Sequence, residues 1–110
     1  MTTREISIYR CRQLFGGRQP LHYKMVWEHL DEDRWKTAKE VCQQIEHESN
    51  GVYCRSIDIN KVAGLLRNMV FASKYLGYKV VERQPVVESS ICGIVARWSY
   101  RRLPLETLTF

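Results

Sequence analysis

Two segments decide the fold: Trp35-Lys36-Thr37-Ala38-Lys39-Glu40-Val41-Cys42-Gln43-Gln44-Ile45, and Asp58-Ile59-Asn60-Lys61-Val62-Ala63-Gly64-Leu65-Leu66-Arg67-Asn68-Met69. In the first, Thr37 and Glu40 have the spacing of a capping box. The hydroxyl can accept from the Glu40 amide while the Glu40 side chain reaches back. Ala38, Val41, Cys42 and Ile45 then recur at i, i+3, i+4 and i+7, one buried helical face. Ser49-Asn50-Gly51 stops this helix, and the loop to about Ile57 is longer than a minimal helix-turn-helix allows. The second segment begins at Asp58, a good N-cap, and is predicted helical to Leu76, with Gly77 just past its end. Val62, Leu65, Leu66, Met69, Ser73 and Leu76 mark its core side.

Working outward, two alternating segments follow, roughly Tyr78–Arg83 and Cys92–Arg102, with Arg83-Gln84-Pro85 beginning the turn between them. Cys92, Ile94, Ala96, Trp98 and Tyr100 share one face by period two, and Gly93, Val95, Arg97 and Ser99 the other. Upstream, Pro20 suits the first position of an earlier helix. Leu21, Met25, Trp27 or Glu28, and Leu30 give that helix an apolar stripe. Asp31-Glu32-Asp33 would oppose the dipole at its C-terminus and are read as a turn. Three helices and then a two-stranded β-hairpin predict an α+β fold, a winged helix-turn-helix over residues 20–103. Residues 1–19 form a basic leader with Arg4, Arg10, Arg12 and Arg18, broken at Gly16-Gly17. A basic N-terminal arm, an extra strand through Ile6-Ser7-Ile8-Tyr9 and a frayed terminus are its open readings. Residues 104–110 form a short apolar tail after Pro104.

The 110 residues, 45% of them apolar and twelve aromatic, suit one domain with one core rather than a disordered chain. No apolar run reaches the roughly 18 residues that span a membrane, and no export signal is visible. Cys11, Cys42, Cys54 and Cys92 contain no C-x-x-C pair and read as free thiols of a reducing cytosol, with Cys42 and Cys92 on core faces. The net charge of +5 divides unevenly. Glu28 to Glu48 holds seven acidic and three basic residues, and the remainder five acidic and fourteen basic. That polarity fits one face turned to a polyanion and another to solvent or protein.

Catalytic and metal chemistry find little footing. His22, His29 and His47 are not spaced as a metal pair, and neither a P-loop, G-x-G-x-x-G nor G-x-S-x-G occurs. Glu46 and Glu48 diverge on a helix. No catalytic residue, metal or cofactor is expected.

The segment Pro20-Leu21-His22-Tyr23 through Arg34-Trp35, with Trp27 between and a capped helix from Thr37 to Ile45 behind, resembles the CaiF/GrlA family of enterobacterial transcriptional activators. That resemblance spans Pro20 to about Arg102. It implies a winged helix-turn-helix activator in the bacterial cytoplasm that binds promoter DNA and relieves silencing by nucleoid proteins. It also implies control by a small regulatory protein, and makes Asp58–Leu76 the recognition element.

Two functions follow for testing. In the first, the chain is a sequence-specific regulator on double-stranded DNA. Lys36, Lys39 and Arg55 anchor phosphates, Asn60, Lys61, Gly64, Arg67 and Asn68 enter the major groove, and Arg83 and Arg97 serve the hairpin. A homodimer is expected, because one small reader gains little specificity alone. In the second, the winged helix is an adaptor or inhibitor that contacts protein through Phe71, Tyr75 and the acidic Glu28–Glu48 stretch.

Overall fold

Ser7 starts a helix where a strand or a loose arm was expected. The computed structural model describes residues 6–48, 58–77, 79–90 and 93–103, and α1 occupies Ile8–Phe15. The Ser7 hydroxyl accepts from the Arg10 amide at 3.0 Å. Gly16, at φ 91°, closes the helix, its N–H donating to the Arg12 carbonyl. Cys11, Leu14 and Phe15 stand at i, i+3 and i+4 and are all buried, as is Ile6. Helical spacing therefore prevails over the short Ile6/Ile8 alternation, and residues 8–15 of the basic leader are corrected from an arm to a packed helix, with Arg12 exposed and Arg10 half-exposed; residues 1–5 lie outside the described residues.

The second helix, α2 (Pro20–Glu28), starts where predicted. Its burial differs from a single stripe: Tyr23, Met25, Val26 and Trp27 are all buried, while Leu21 is 46% exposed. Three consecutive buried residues cannot share one face, so α2 is enclosed from more than one side. Phe15 supplies part of that cover, stacking on Tyr23 at 5.0 Å and tilting against Trp27 at 6.3 Å. The chain before α1 is fastened too. Glu28 accepts from the Ile6 amide (3.2 Å), Lys24 donates to the Ile6 carbonyl (2.8 Å), and the two side chains pair at 2.6 Å.

The third helix, α3 (Ala38–Glu48), carries the predicted capping box. The Glu40 amide donates to Thr37 Oγ1 at 3.3 Å, and the Thr37 amide to Glu40 Oε1 at 3.2 Å. Val41, Cys42 and Ile45 are buried, with Ala38 packed beside them. The fourth, α4 (Ile59–Phe71), is capped by Asp58, which accepts from the Lys61 amide at 2.8 Å. Val62, Leu65, Leu66 and Met69 are buried as expected. The helix does not run unbroken to Leu76. A separate short turn, α5 (Ser73–Leu76), follows buried Ala72 and ends on Gly77 at φ 81°. Ser73 Oγ donates back to the Val70 carbonyl at 3.0 Å, a side-chain bond that competes with the regular ladder. Among the described residues there are thus five helices rather than three.

The sheet also differs from a bare hairpin. Strands β1 (Lys36–Thr37), β2 (Val81–Ser90) and β3 (Gly93–Arg102) are antiparallel in the order β1-β3-β2. Lys36 pairs with Tyr100 and Thr37 with Ser99, a strand too short to leave a period-two signal. Along the hairpin Arg83 pairs with Tyr100, Pro85 with Trp98 and Ser90 with Gly93. The turn expected at Arg83-Gln84-Pro85 therefore lies inside β2. Proline lacks a ladder donor but is tolerated on an edge strand, which β2 is. Of the expected face of β3, Tyr100 is buried and Trp98 is 44% exposed; the side chains from Cys92 to Ala96 lie outside the described residues, as do Cys54, Tyr78, the 49–57 loop and the 104–110 tail. Among the described residues no helix is long and apolar enough to cross a membrane.

Two measurements check that α1 belongs to the cooperative unit. Leu14→Ala, at a 1% exposed site, should lower unfolding stability by about 2–4 kcal/mol in urea titrations; a mobile arm would give no loss. Burial pushes the Cys11 thiol from 9.0 up to about 11. Its folded-state value is the higher one, so it contributes stability below pH 9 that is lost as pH rises towards 11. Comparison with Cys11→Ala should show a flatter stability profile over that window in the variant.

Candidate nucleic-acid interface

The outer side of α4 is the most distinctive surface. Asn60 and Arg67 are exposed, Lys61 and Gly64 half-exposed, and Asn68 exposed. Between Asp58 and Glu82 the chain contains no carboxylate at all. A Cβ at Gly64 would meet nothing within 4 Å, so the helix surface there is open and shallow. Asn68 is not wholly available: its Nδ2 donates to the Tyr23 hydroxyl at 3.2 Å. One amide N–H and the amide oxygen remain for an incoming group.

Each flank of α4 is completed by a different element. On one side, the α1–α2 connection approaches Asn68, where Phe15, Gly16, Gly17, Arg18, Gln19, Tyr23 and Asn68 line an open groove of about 700 Å³. Arg18 is exposed there, and Gln19 holds left-handed backbone at φ 54°. Nearby, His22 is held below its usual pKa, first by burial and then by the Lys61 charge. On the other side, Arg83 of β2 pairs in register with Tyr100 of β3. Burial raises the Tyr100 hydroxyl pKa, and the Arg83 and Arg67 charges partly oppose the rise. Arg67 and Arg83, far apart in sequence, thus both lie near enough to Tyr100 for their charges to act on it. Arg18 and Tyr23 were not among the expected contacts. Only the cluster of arginines in the leader hinted at the first, and nothing in the sequence pointed to the Tyr23–Asn68 bond.

The remaining expected contacts divide. Lys39 is exposed on the first turn of α3, and Arg97 is exposed on β3. Arg55 lies outside the described residues. Lys36 does not face solvent and is corrected from a phosphate anchor to an internal fastener. It is 2% exposed, and its ammonium donates to the His29 carbonyl (2.9 Å) and Gln44 Oε1 (2.7 Å) while pairing with Asp31 at 3.2 Å. The pairing of Lys36 with Tyr100 in the sheet turns that side chain inward.

The acidic stretch is similarly engaged. Glu28 holds Ile6, Asp31 holds Lys36, and Glu40 caps α3. Glu48 lies 2.8 Å from His29 Nε2, while His29 Nδ1 donates to the Met25 carbonyl at 2.6 Å. Much of the negative charge thus fastens elements together instead of forming an open face. Of the expected protein anchors, Tyr75 is 69% exposed and Phe71 39%. Phe71 is partly covered by cations, with Lys74 Nζ 4.9 Å and the Arg83 guanidinium 5.5 Å from its ring centre. Among the described residues no cluster of three or more His, Cys, Asp or Glu could hold a metal ion.

No family model matches the chain, and neither a curated protein nor a solved structure matches it.

The contrast between the two lysines is measurable. Lys36→Met removes a buried cation and the ammonium that Asp31, Gln44 and the His29 carbonyl share, so stability should fall by about 2–4 kcal/mol. Lys39→Met should change it by less than about 0.5 kcal/mol. Chemical denaturation of the two variants side by side checks the assignment.

Proposed function

We propose that this chain is a winged-helix DNA-binding domain acting as a sequence-specific transcriptional regulator. In this reading α4 enters the major groove and the β2–β3 hairpin is the wing. The observation that carries it is the outer face of α4: Asn60, Lys61, Arg67 and Asn68 on a helix without carboxylates, beside an open glycine. Arginine and asparagine match the edges of guanine and adenine through paired hydrogen bonds, and lysine suits phosphate.

The arrangement of elements supports the same reading. From α2 onward, a helix, a short strand, two further helices with the short α5 turn, and a hairpin, with the short strand added beside β3, match the order of a winged helix. The resemblance of Pro20 to Trp35 to the CaiF/GrlA activators supports promoter DNA as the target and activation as the outcome. Lys39 on α3 and Arg97 on the hairpin serve the phosphate backbone on either side of α4.

A protein-binding role draws support from Tyr75, which is 69% exposed at the end of the α4–α5 segment. The acidic stretch adds little to it, since most of its carboxylates are engaged within the fold. DNA therefore remains the better match to the charge that is accessible.

Fluorescence anisotropy with labelled duplex DNA over a series of salt concentrations tests the proposal. Binding should weaken steeply with salt, as counterion release requires. Arg67→Ala should cost about 1–3 kcal/mol and relax base preference, whereas Lys39→Ala should weaken all duplexes alike and lower the salt slope by about 1. Salt-insensitive or undetectable binding by the unmodified protein, together with a Tyr75-dependent protein complex, would transfer the function to the protein-binding class.

A further inference from the structure

The Arg83 guanidinium rests on two aromatic rings supplied by different elements. Its central carbon lies 4.1 Å from the Trp98 ring centre and 5.5 Å from that of Phe71. Phe71 is the last residue of α4, and Trp98 stands on β3. The strand register explains the second contact. Arg83 pairs with Tyr100 and Pro85 with Trp98, which makes Trp98 the diagonal neighbour of Arg83 on the same sheet face. That face is buried near the base of the hairpin, at Val81 and Tyr100, and opens outward at Trp98.

The surrounding charges leave Arg83 oriented but not neutralised. Its neighbour Glu82 points to the other face and pairs with Arg101 at 3.0 Å. Among the described residues, Arg83 has no carboxylate partner. Stacking engages the flat faces of a guanidinium and leaves its N–H edge available, which is the edge that binds phosphate. An isolated arginine would lose rotamer entropy on being fixed in one pose. Two rings that already restrict it remove part of that cost before any ligand arrives.

We propose that Phe71 and Trp98 are positioning residues that hold Arg83 in the angle between α4 and the hairpin, ready to meet a DNA phosphate in register with the helix. This inference rests on the DNA-binding reading and adds a mechanical link to it. Because the stack joins the end of α4 to β3, it fixes the setting of the hairpin against the helix. Phe71 then serves as an internal strut, and its partial exposure is the by-product of carrying a cation.

A double-mutant cycle on Arg83→Ala and Trp98→Leu tests the link, read as the dissociation constant for a fluorescein-labelled duplex of mixed sequence, with thermal unfolding confirming that each variant is folded. Each single substitution should weaken binding about threefold to tenfold. Arg83→Lys, which keeps the charge but loses the planar stack, should weaken it by a similar factor. The double variant should bind no worse than Arg83→Ala alone, because Trp98 acts only through Arg83. Additive losses, or wild-type binding by Arg83→Lys, would overturn the positioning role while leaving DNA binding in place. Failure of the unmodified protein to bind the duplex would overturn the DNA reading and this role together. If Trp98→Leu does not fold, the same cycle with Phe71→Leu gives the decision.

Discussion

Enclosure of Trp27 is the constraint on which the rest of the structure depends. A buried Trp contributes on the order of 5 kcal/mol through the area it removes from water. Here it does so although its indole N–H finds no hydrogen-bond partner among the described residues, at a cost of about 1–3 kcal/mol. The balance favours burial, provided that every side of the ring is covered. Phe15 covers it from α1, and Arg102 approaches it from β3, its guanidinium 5.8 Å from the ring centre and its Nη1 donating to the Trp27 carbonyl at 3.4 Å. The Arg102 amide adds a bond to the Asp31 carbonyl at 3.0 Å, so the end of the hairpin is tied to the chain leaving α2. One side chain thereby unites the N-terminal helix, the central helix and the sheet.

The distribution of charge follows from the same enclosure. Elements that wrap one helix from several sides leave polar backbone and charged side chains at their seams. Lys24 and Glu28 satisfy the Ile6 backbone, Lys36 bridges Asp31, Gln44 and the His29 carbonyl, and His29 connects α2 to α3 through Glu48. Most of these pairs consume an acid from the Glu28–Glu48 stretch. Arg18, Lys39, Arg67 and Arg97 stay exposed, as do Asp33, Glu46, Glu48 and Asp58.

Parts of the candidate site are legible in the sequence alone. Capping signals placed the starts of α3 and α4 within a residue or so, since caps act locally through backbone groups that must find partners near by. Helical period then assigned Val62, Leu65, Leu66 and Met69 inward, leaving Asn60, Arg67 and Asn68 outward. Lys36 could not be assigned this way. Its fate depends on pairing with Tyr100, a residue 64 positions away, and two paired residues leave no periodic trace. The stack of Arg83 with Phe71 and Trp98 is illegible for a related reason, because it needs the register of one hairpin and the end of one helix at the same time.

What the sequence determined by itself was whatever a few neighbouring residues settle: the helix starts at Pro20, Ala38 and Ile59, the apolar faces of the latter two, the Gly77 stop, and an α+β order ending in strands. Only the tertiary structure decided that residues 8–15 are a core helix, that β1 joins β3, that Pro85 lies within β2, and that Lys36 is inside while Arg83 is held outside. The physical reason is the range of the interactions. Caps and helical periodicity are satisfied within one or two turns, whereas edge-strand tolerance, enclosure of Trp27 and cation stacking are settled by groups that meet only once the chain has closed on itself.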